Sequence, residues 1–230
     1  RFTPTGSNSN PVWAPDGKHF AFWKRNREDG QLAVEIVSGD CSEKREFMLP
    51  PKCGGGTIRW TPDGEAIGFV GNDGTENYNL LRLTIKTGKW ESWPLGLGYW
   101  AMIEWGKDGK KYYFSDNGLH GSKEKIVQCS IGSPERQNIY PEMINGKGAF
   151  RSLRCSRDYK SLAFEYGGSI SVMNLETGQN KLVTPAADTL GQPTPKVSWS
   201  NPAWSPDGTK MLVTKIFVNE KMKPTCELYI

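Results

Sequence analysis

Few side chains in this chain could do chemistry, and their spacing argues against most of the reactions they could serve. There are two histidines, His19 and His120. His19 follows Asp16-Gly17-Lys18 at a predicted strand start, a position that reads as a solvated turn. His120 sits in the glycine-rich stretch Asp116-Asn117-Gly118-Leu119-His120-Gly121, where a partner contact and a solvated loop both remain open. The sequence contains no Gly-x-Ser-x-Gly elbow, no His-Glu-x-x-His pair and no phosphate-binding loop, so no catalytic residue is assigned. The chain is expected to be no enzyme and to need no cofactor.

Metal and redox chemistry fare no better. Cys41, Cys53, Cys129, Cys155 and Cys226 are odd in number and lack C-x-x-C spacing, which argues against zinc. Cys129, Cys155 and Cys226 fall on apolar strand positions and read as small core residues. Cys41 and Cys53 flank a predicted strand that holds them roughly 15 Å apart, too far for a disulfide. Residues 72–77 and 116–118 faintly resemble calcium loops but lack the terminal bidentate Glu, so no metal site is assigned.

Five aspartates recur in one setting. Trp13-Ala14-Pro15-Asp16-Gly17 returns as Trp60-Thr61-Pro62-Asp63-Gly64 and as Trp204-Ser205-Pro206-Asp207-Gly208. A decayed copy reads Trp105-Gly106-Lys107-Asp108-Gly109, and a further one Cys155-Ser156-Arg157-Asp158-Tyr159. The spacings are 47, 45, 50 and 49 residues. Pro presets φ at the second turn position, Asp bonds local backbone amides, and Gly takes the positive φ that closes a hairpin. Asp16, Gly17, Asp63, Gly64, Asp108, Gly109, Asp207 and Gly208 are therefore read as structural turns.

Each word lies between a short strand ending in a large side chain and an alternating strand, with third and fourth strands following. Four antiparallel strands per 45 to 50 residues is a propeller blade. The expected fold is an all-β propeller forming one domain over residues 1–230, with blades near 10–49, 57–94, 101–140, 151–184 and 201–230. Residues 1–5 are expected to supply the fourth strand of the last blade and close the ring. Part of a six- or seven-blade ring is the alternative. The composition agrees: 37% hydrophobic, 26 Gly, 15 Pro and 11% aromatic residues suit strands joined by tight turns. No apolar run approaches the 18 residues of a membrane helix. A net charge of +4, spread along the chain, is not a nucleic-acid footprint.

The Trp-x-Pro-Asp-Gly word, its alternating strand and the later Thr-Gly turns resemble the TolB-type propeller repeat, a cousin of the WD-type repeat, over essentially the whole chain. The resemblance implies a protein-protein interaction module of a bacterial envelope protein, periplasmic or envelope-associated. The alternative it admits is a substrate-gating propeller of a prolyl-oligopeptidase-type hydrolase. A monomeric domain with a protein partner is expected, and a glycan partner is possible.

Binding is expected on one rim. In a propeller the loops leading into each first strand (5–9, 50–56, 95–100, 141–150, 185–200) share a face with those between second and third strands (24–31, 72–77, 116–122, 219–225). Tyr99, Trp100 and Trp199 read as aromatic anchors there, with Arg25, Lys221 and His120 nearby. Plugging the funnel is the other role open to those aromatics.

Overall fold

The structure, a computed structural model, describes residues 7–26, 29–72, 77–97, 101–116, 124–140, 149–185, 197–218 and 224–229. Nineteen strands and no helix are found among them. The first sheet joins β1 (Ser7–Trp13), β2 (His19–Arg25), β3 (Leu32–Ser38) and β4 (Lys44–Met48) in chain order. The second joins β5 (Arg59–Trp60), β6 (Ala66–Asn72), β7 (Tyr78–Thr84) and β8 (Lys89–Leu97), again in order. The third holds β9 (Ile103–Trp105), β10 (Lys111–Asp116), β11 (Lys125–Ser130) and β12 (Arg136–Asn138). The fourth holds β13 (Arg151–Cys155), β14 (Ser161–Tyr166), β15 (Ser169–Asn174) and β16 (Asn180–Leu182). The fifth has three described strands, β17 (Val197–Trp204), β18 (Met211–Val218) and β19 (Pro224–Tyr229). Residues 1–5, expected to complete it, lie outside the described residues.

The repeated word makes the hairpin between first and second strands. In the second blade the Gly64 amide donates to Thr61 O at 2.9 Å, and the Thr61 amide to Ala66 O at 2.8 Å. Asp63 Oδ1 accepts the Glu65 amide at 2.9 Å and the Thr61 hydroxyl at 2.6 Å. Asp16, Asp108, Asp158 and Asp207 likewise each accept the amide of the residue two positions on. Gly17, Gly64, Gly109 and Gly208 hold φ between 62° and 73°, where a Cβ is strained. In the fourth blade Tyr159 occupies that conformation, at φ 60°.

The chain forms two compact units, residues 1–110 and 111–230. In the first, successive sheets pack face to face. Alternation along β2 turns Ala21 and Trp23 toward the second blade, where they join Val34, Ile36, Leu49, Ile58, Ile67, Phe69, Leu81 and Leu83 in one buried cluster. β6 is covered on both faces, so Ala66 through Gly71 are all buried. The Trp of the second and third words serves this packing. Trp60 Nε1 donates to Val12 O and Trp105 Nε1 to Arg59 O, each at 3.1 Å. The acceptor in both cases is the residue just before the preceding word. Trp105 is 1% exposed, and its ring lies so close over Gly68 that a Cβ there would stand 2.5 Å from it.

In the second unit the same bond runs from Trp204 Nε1 to Arg154 O at 3.1 Å. Ile170, Trp199 and Val213 form a buried cluster, with Val197 and Met211 packed against it. The buried Tyr140, Phe150 and Phe164 group their rings, Tyr140–Phe164 and Phe150–Phe164 centroids standing 5.0 and 5.5 Å apart, with the half-buried Tyr166 against Phe150.

Several boundaries differ from the sequence reading. β1 begins at Ser7 and β17 at Val197, inside stretches expected to be loops. The reason is a bulge three residues before the word. Asn10, Ser152 and Asn201 sit at φ 55°, 52° and 52°, at the register shifts of β1, β13 and β17, so each strand resumes beyond a kink. β8 runs on past its expected end at Pro94 to Leu97, because a register shift against β7 and a positive φ at Gly96 return Leu95 and Leu97 to buried positions. All five cysteines are free thiols. Cys129 is buried and Cys155 partly so, but Cys226, expected in the core, is exposed. It pairs with Ile216 across β18 and β19.

Candidate partner-binding rim

Of the residues expected to bind a partner, Tyr99, Trp100, His120 and Lys221 lie outside the described residues. Arg25 and Trp199 are described, and they differ.

Arg25 ends β2 and lines a cleft of about 550 Å³ in the first unit. Its walls come from residues 29–32, the connection 49–54 that leads toward β5, and Asn72 at the end of β6. Loops of both expected sets thus meet in one place. The walls are fixed by backbone bonding. Arg25 Nη1 donates to Gly30 O at 2.9 Å, the Asn26 amide donates to Gln31 O at 2.9 Å, and the Gly30 amide donates to Asn26 O at 3.1 Å. Across the cleft the Gly54 amide donates to Asn72 Oδ1 at 2.9 Å, and Cys53 N–H to Pro50 O at 3.2 Å. Gly71 makes this docking possible, since a Cβ there would fall 2.2 Å from Gly54 O. Farther along the same connection, Trp23 Nε1 donates to Gly56 O at 2.6 Å.

The cleft offers exposed cations from Arg25 and Lys52, one carboxylate from Asp29, and an apolar floor from Leu32, Leu49 and Pro50. Lys52 stands at φ 65°, held there by the connection around it. His19, by contrast, pairs with Asp16 at 2.7 Å in the turn of its own word, away from this cleft.

Trp199 lies within β17 and is 8% exposed. Its amide donates to Gly168 O at 2.7 Å, and Lys215 Nζ stands 5.8 Å from its ring centroid. The ring is packed among Ile170 and Val213 instead of standing open to a partner. At the same end of the fourth sheet, burial raises the carboxyl pKa of Glu165, against the lowering effect of Arg151. Burial also raises the hydroxyl pKa of Tyr140 and Tyr166. Among the described residues no group of three or more metal-ligating side chains occurs.

The sequence reading missed one charged feature of the first unit. Arg59 and Glu104, the residues just before their words on β5 and β9, are nearly buried and paired at 3.4 Å. A buried Arg on a two-residue strand leaves no periodic signal; only its place before the word marks it.

No family model matches this chain, and no curated protein does. Solved structures do. TolB from Acinetobacter baumannii is 17% identical over 97% of this chain, with a TM-score of 0.69. An oligogalacturonate lyase from Vibrio parahaemolyticus is 13% identical over 98% of the chain, TM-score 0.65. A prolyl endopeptidase is 15% identical over 92% of it, TM-score 0.64. The chain spans 51% of the TolB chain, 66% of the lyase and 32% of the endopeptidase. Identities this low define the fold. The chain has the all-β propeller fold of these structures, TolB among them, and its five repeated sheets are blades.

Proposed function

We propose that this chain is a non-enzymatic propeller domain that binds a protein segment through the rim containing Arg25, as a module of a bacterial envelope protein. The observation that carries the reading is the cleft of about 550 Å³, where two rim loops and Asn72 converge with cations over an apolar floor. Its walls are pinned by main-chain bonds, so little ordering entropy opposes association. The word turns at the other ends of the sheets are short and chemically uniform, and discriminate poorly between partners. A periplasmic or envelope setting rests on the likeness to TolB. A glycan partner is the outcome if the cleft takes sugars instead.

The second reading is a substrate-gating propeller of a prolyl-oligopeptidase-type hydrolase, favoured by the match to a prolyl endopeptidase over 92% of the chain. The test is site-directed photo-crosslinking in cells. A crosslinker at Gln31, which lines the cleft, is compared with one at the exposed Lys107 in the third word. A discrete protein adduct at Gln31 and none at Lys107 supports the rim. Equal adducts at both, or none at either, overturns it.

A further inference from the structure

Two adjacent cations at the end of β2 are treated differently. Lys24 is paired with both Glu35 and Glu46. Arg25, the next residue, lines the cleft of the first unit together with Lys52 from the 49–54 connection. Both are exposed, and among the described residues neither is ion-paired. Asp29, the carboxylate of the lining, is engaged by its own wall, where it accepts the Gln31 amide at 2.9 Å. Two cations against one carboxylate leave the cleft with a positive excess.

Lys52 is held in the wall against its own backbone preference. Pro50-Pro51-Lys52-Cys53 form a turn closed by the Cys53 amide on Pro50 O at 3.2 Å, with Lys52 in the third position at φ 65°. A turn with positive φ at that place ordinarily takes Gly or Asn. The chain has a long cation there instead, and strain of this kind collects at ligand-binding positions. Arg25 is fixed too. Its Nη1 donates to Gly30 O at 2.9 Å, which orients a guanidinium that carries further N–H donors.

We propose that the segment bound in this cleft is acidic: an extended peptide whose carboxylates meet Arg25 and Lys52 while an apolar side chain lies on Leu32, Leu49 and Pro50. The assignment rests on the rim reading above and names the partner's chemistry. Carboxylates compensate the two cations that the fold leaves unpaired, whereas a basic segment meets like charge. The volume of about 550 Å³ falls within the range of ligand pockets.

Amide NMR titration of the 230-residue chain tests this with three Gly-Ser peptides, each carrying a central Leu flanked by two Glu, two Gln or two Lys. An exposed ion pair adds at most about fivefold in affinity, so two should favour the Glu peptide over the Gln peptide by about tenfold. The Gly30, Gln31 and Gly54 amides should shift, and the Lys peptide should bind least. Lys52→Asn separates charge from structure, because Asn tolerates the positive φ. Its melting temperature should hold or rise while its affinity for the Glu peptide falls about threefold. Unchanged affinity in that variant makes Lys52 a turn residue only and overturns the proposal. Equal affinity for the Glu and Gln peptides overturns it too, while a Gln31 crosslink in cells would still uphold the rim. Silence of those amides toward all three peptides also removes the acidic assignment, and the rim reading then rests on the Gln31 crosslink alone.

Discussion

The second and fourth words fold the same turn from different residues. In Trp60-Thr61-Pro62-Asp63-Gly64 the Thr61 hydroxyl donates to Asp63 at 2.6 Å and accepts the Ala66 amide at 3.0 Å. In Cys155-Ser156-Arg157-Asp158-Tyr159 the Ser156 hydroxyl does the same, to Asp158 at 2.6 Å and from the Ser161 amide at 3.0 Å. The fourth word has lost Pro, Gly and Trp, yet its turn persists. The carboxylate, common to all five words, therefore defines the turn; the hydroxyl reinforces it in the second, fourth and fifth words, and Pro and Gly lower its cost. The Trp plays a different part, because its N–H acts on the neighbouring sheet, and Cys155 has no such donor.

The sharpest way to break this comparison is at its first position. Trp60→Ala removes an indole packed against the first-unit cluster and its bond to Val12 O, and should cost about 3 kcal/mol. Cys155→Ala should cost about 1 kcal/mol or less. Urea melts of the two variants decide; similar losses would mean the Trp adds nothing to inter-blade packing.

Next comes the hydroxyl. Thr61 is fully buried, and Thr61→Val leaves the Ala66 amide without its side-chain acceptor, an expected loss of about 1–3 kcal/mol. A midpoint unchanged from the parent would move the turn's stability onto Asp63 alone.

The glycine position gives opposite signs. Gly64→Ala at φ 73° should destabilise by about 1 kcal/mol, whereas Tyr159→Gly at φ 60° should stabilise by a similar or smaller amount. Thermal denaturation of the pair, read side by side, would expose any case in which both move the same way.

The smallest effect is electrostatic. In the fifth word the hydrogen bond from Ser205, with help from the Thr209 amide, lowers the Asp207 pKa to about 2. A depressed carboxylate contributes stability above its unfolded value of 3.8, and that contribution is lost as pH falls toward about 2. Carboxyl NMR titration should place Asp207 near the lower limit and show Ser205→Ala moving it up. An unmoved midpoint in that variant would assign the shift to the backbone alone.

Much of the fold was legible in the sequence, because the word is local. Pro, Asp and Gly act within four residues of one another, so a period near 47 residues could be read as hairpins and then as blades. That Arg25 falls where β2 gives way to a connection was legible, because connections follow from strand order. The cleft beside it was not. It depends on Gly71 admitting the Gly54 carbonyl, a contact between residues 17 apart that no pattern encodes.

Trp199 shows the limit most directly. Counted along the chain, it stands ahead of a strand and reads as an open anchor. The bulge at Asn201 extends that strand upstream and carries the ring into a cluster with Ile170 and Val213. The word tryptophans differ in the same way. Sequence places Trp13, Trp60, Trp105 and Trp204 at equivalent positions, and it determined their hairpins for the same local reason. Whether each indole is buried depends on whether a neighbouring sheet offers a carbonyl at 3.1 Å. That is a long-range matter of packing, and only the tertiary structure decided it.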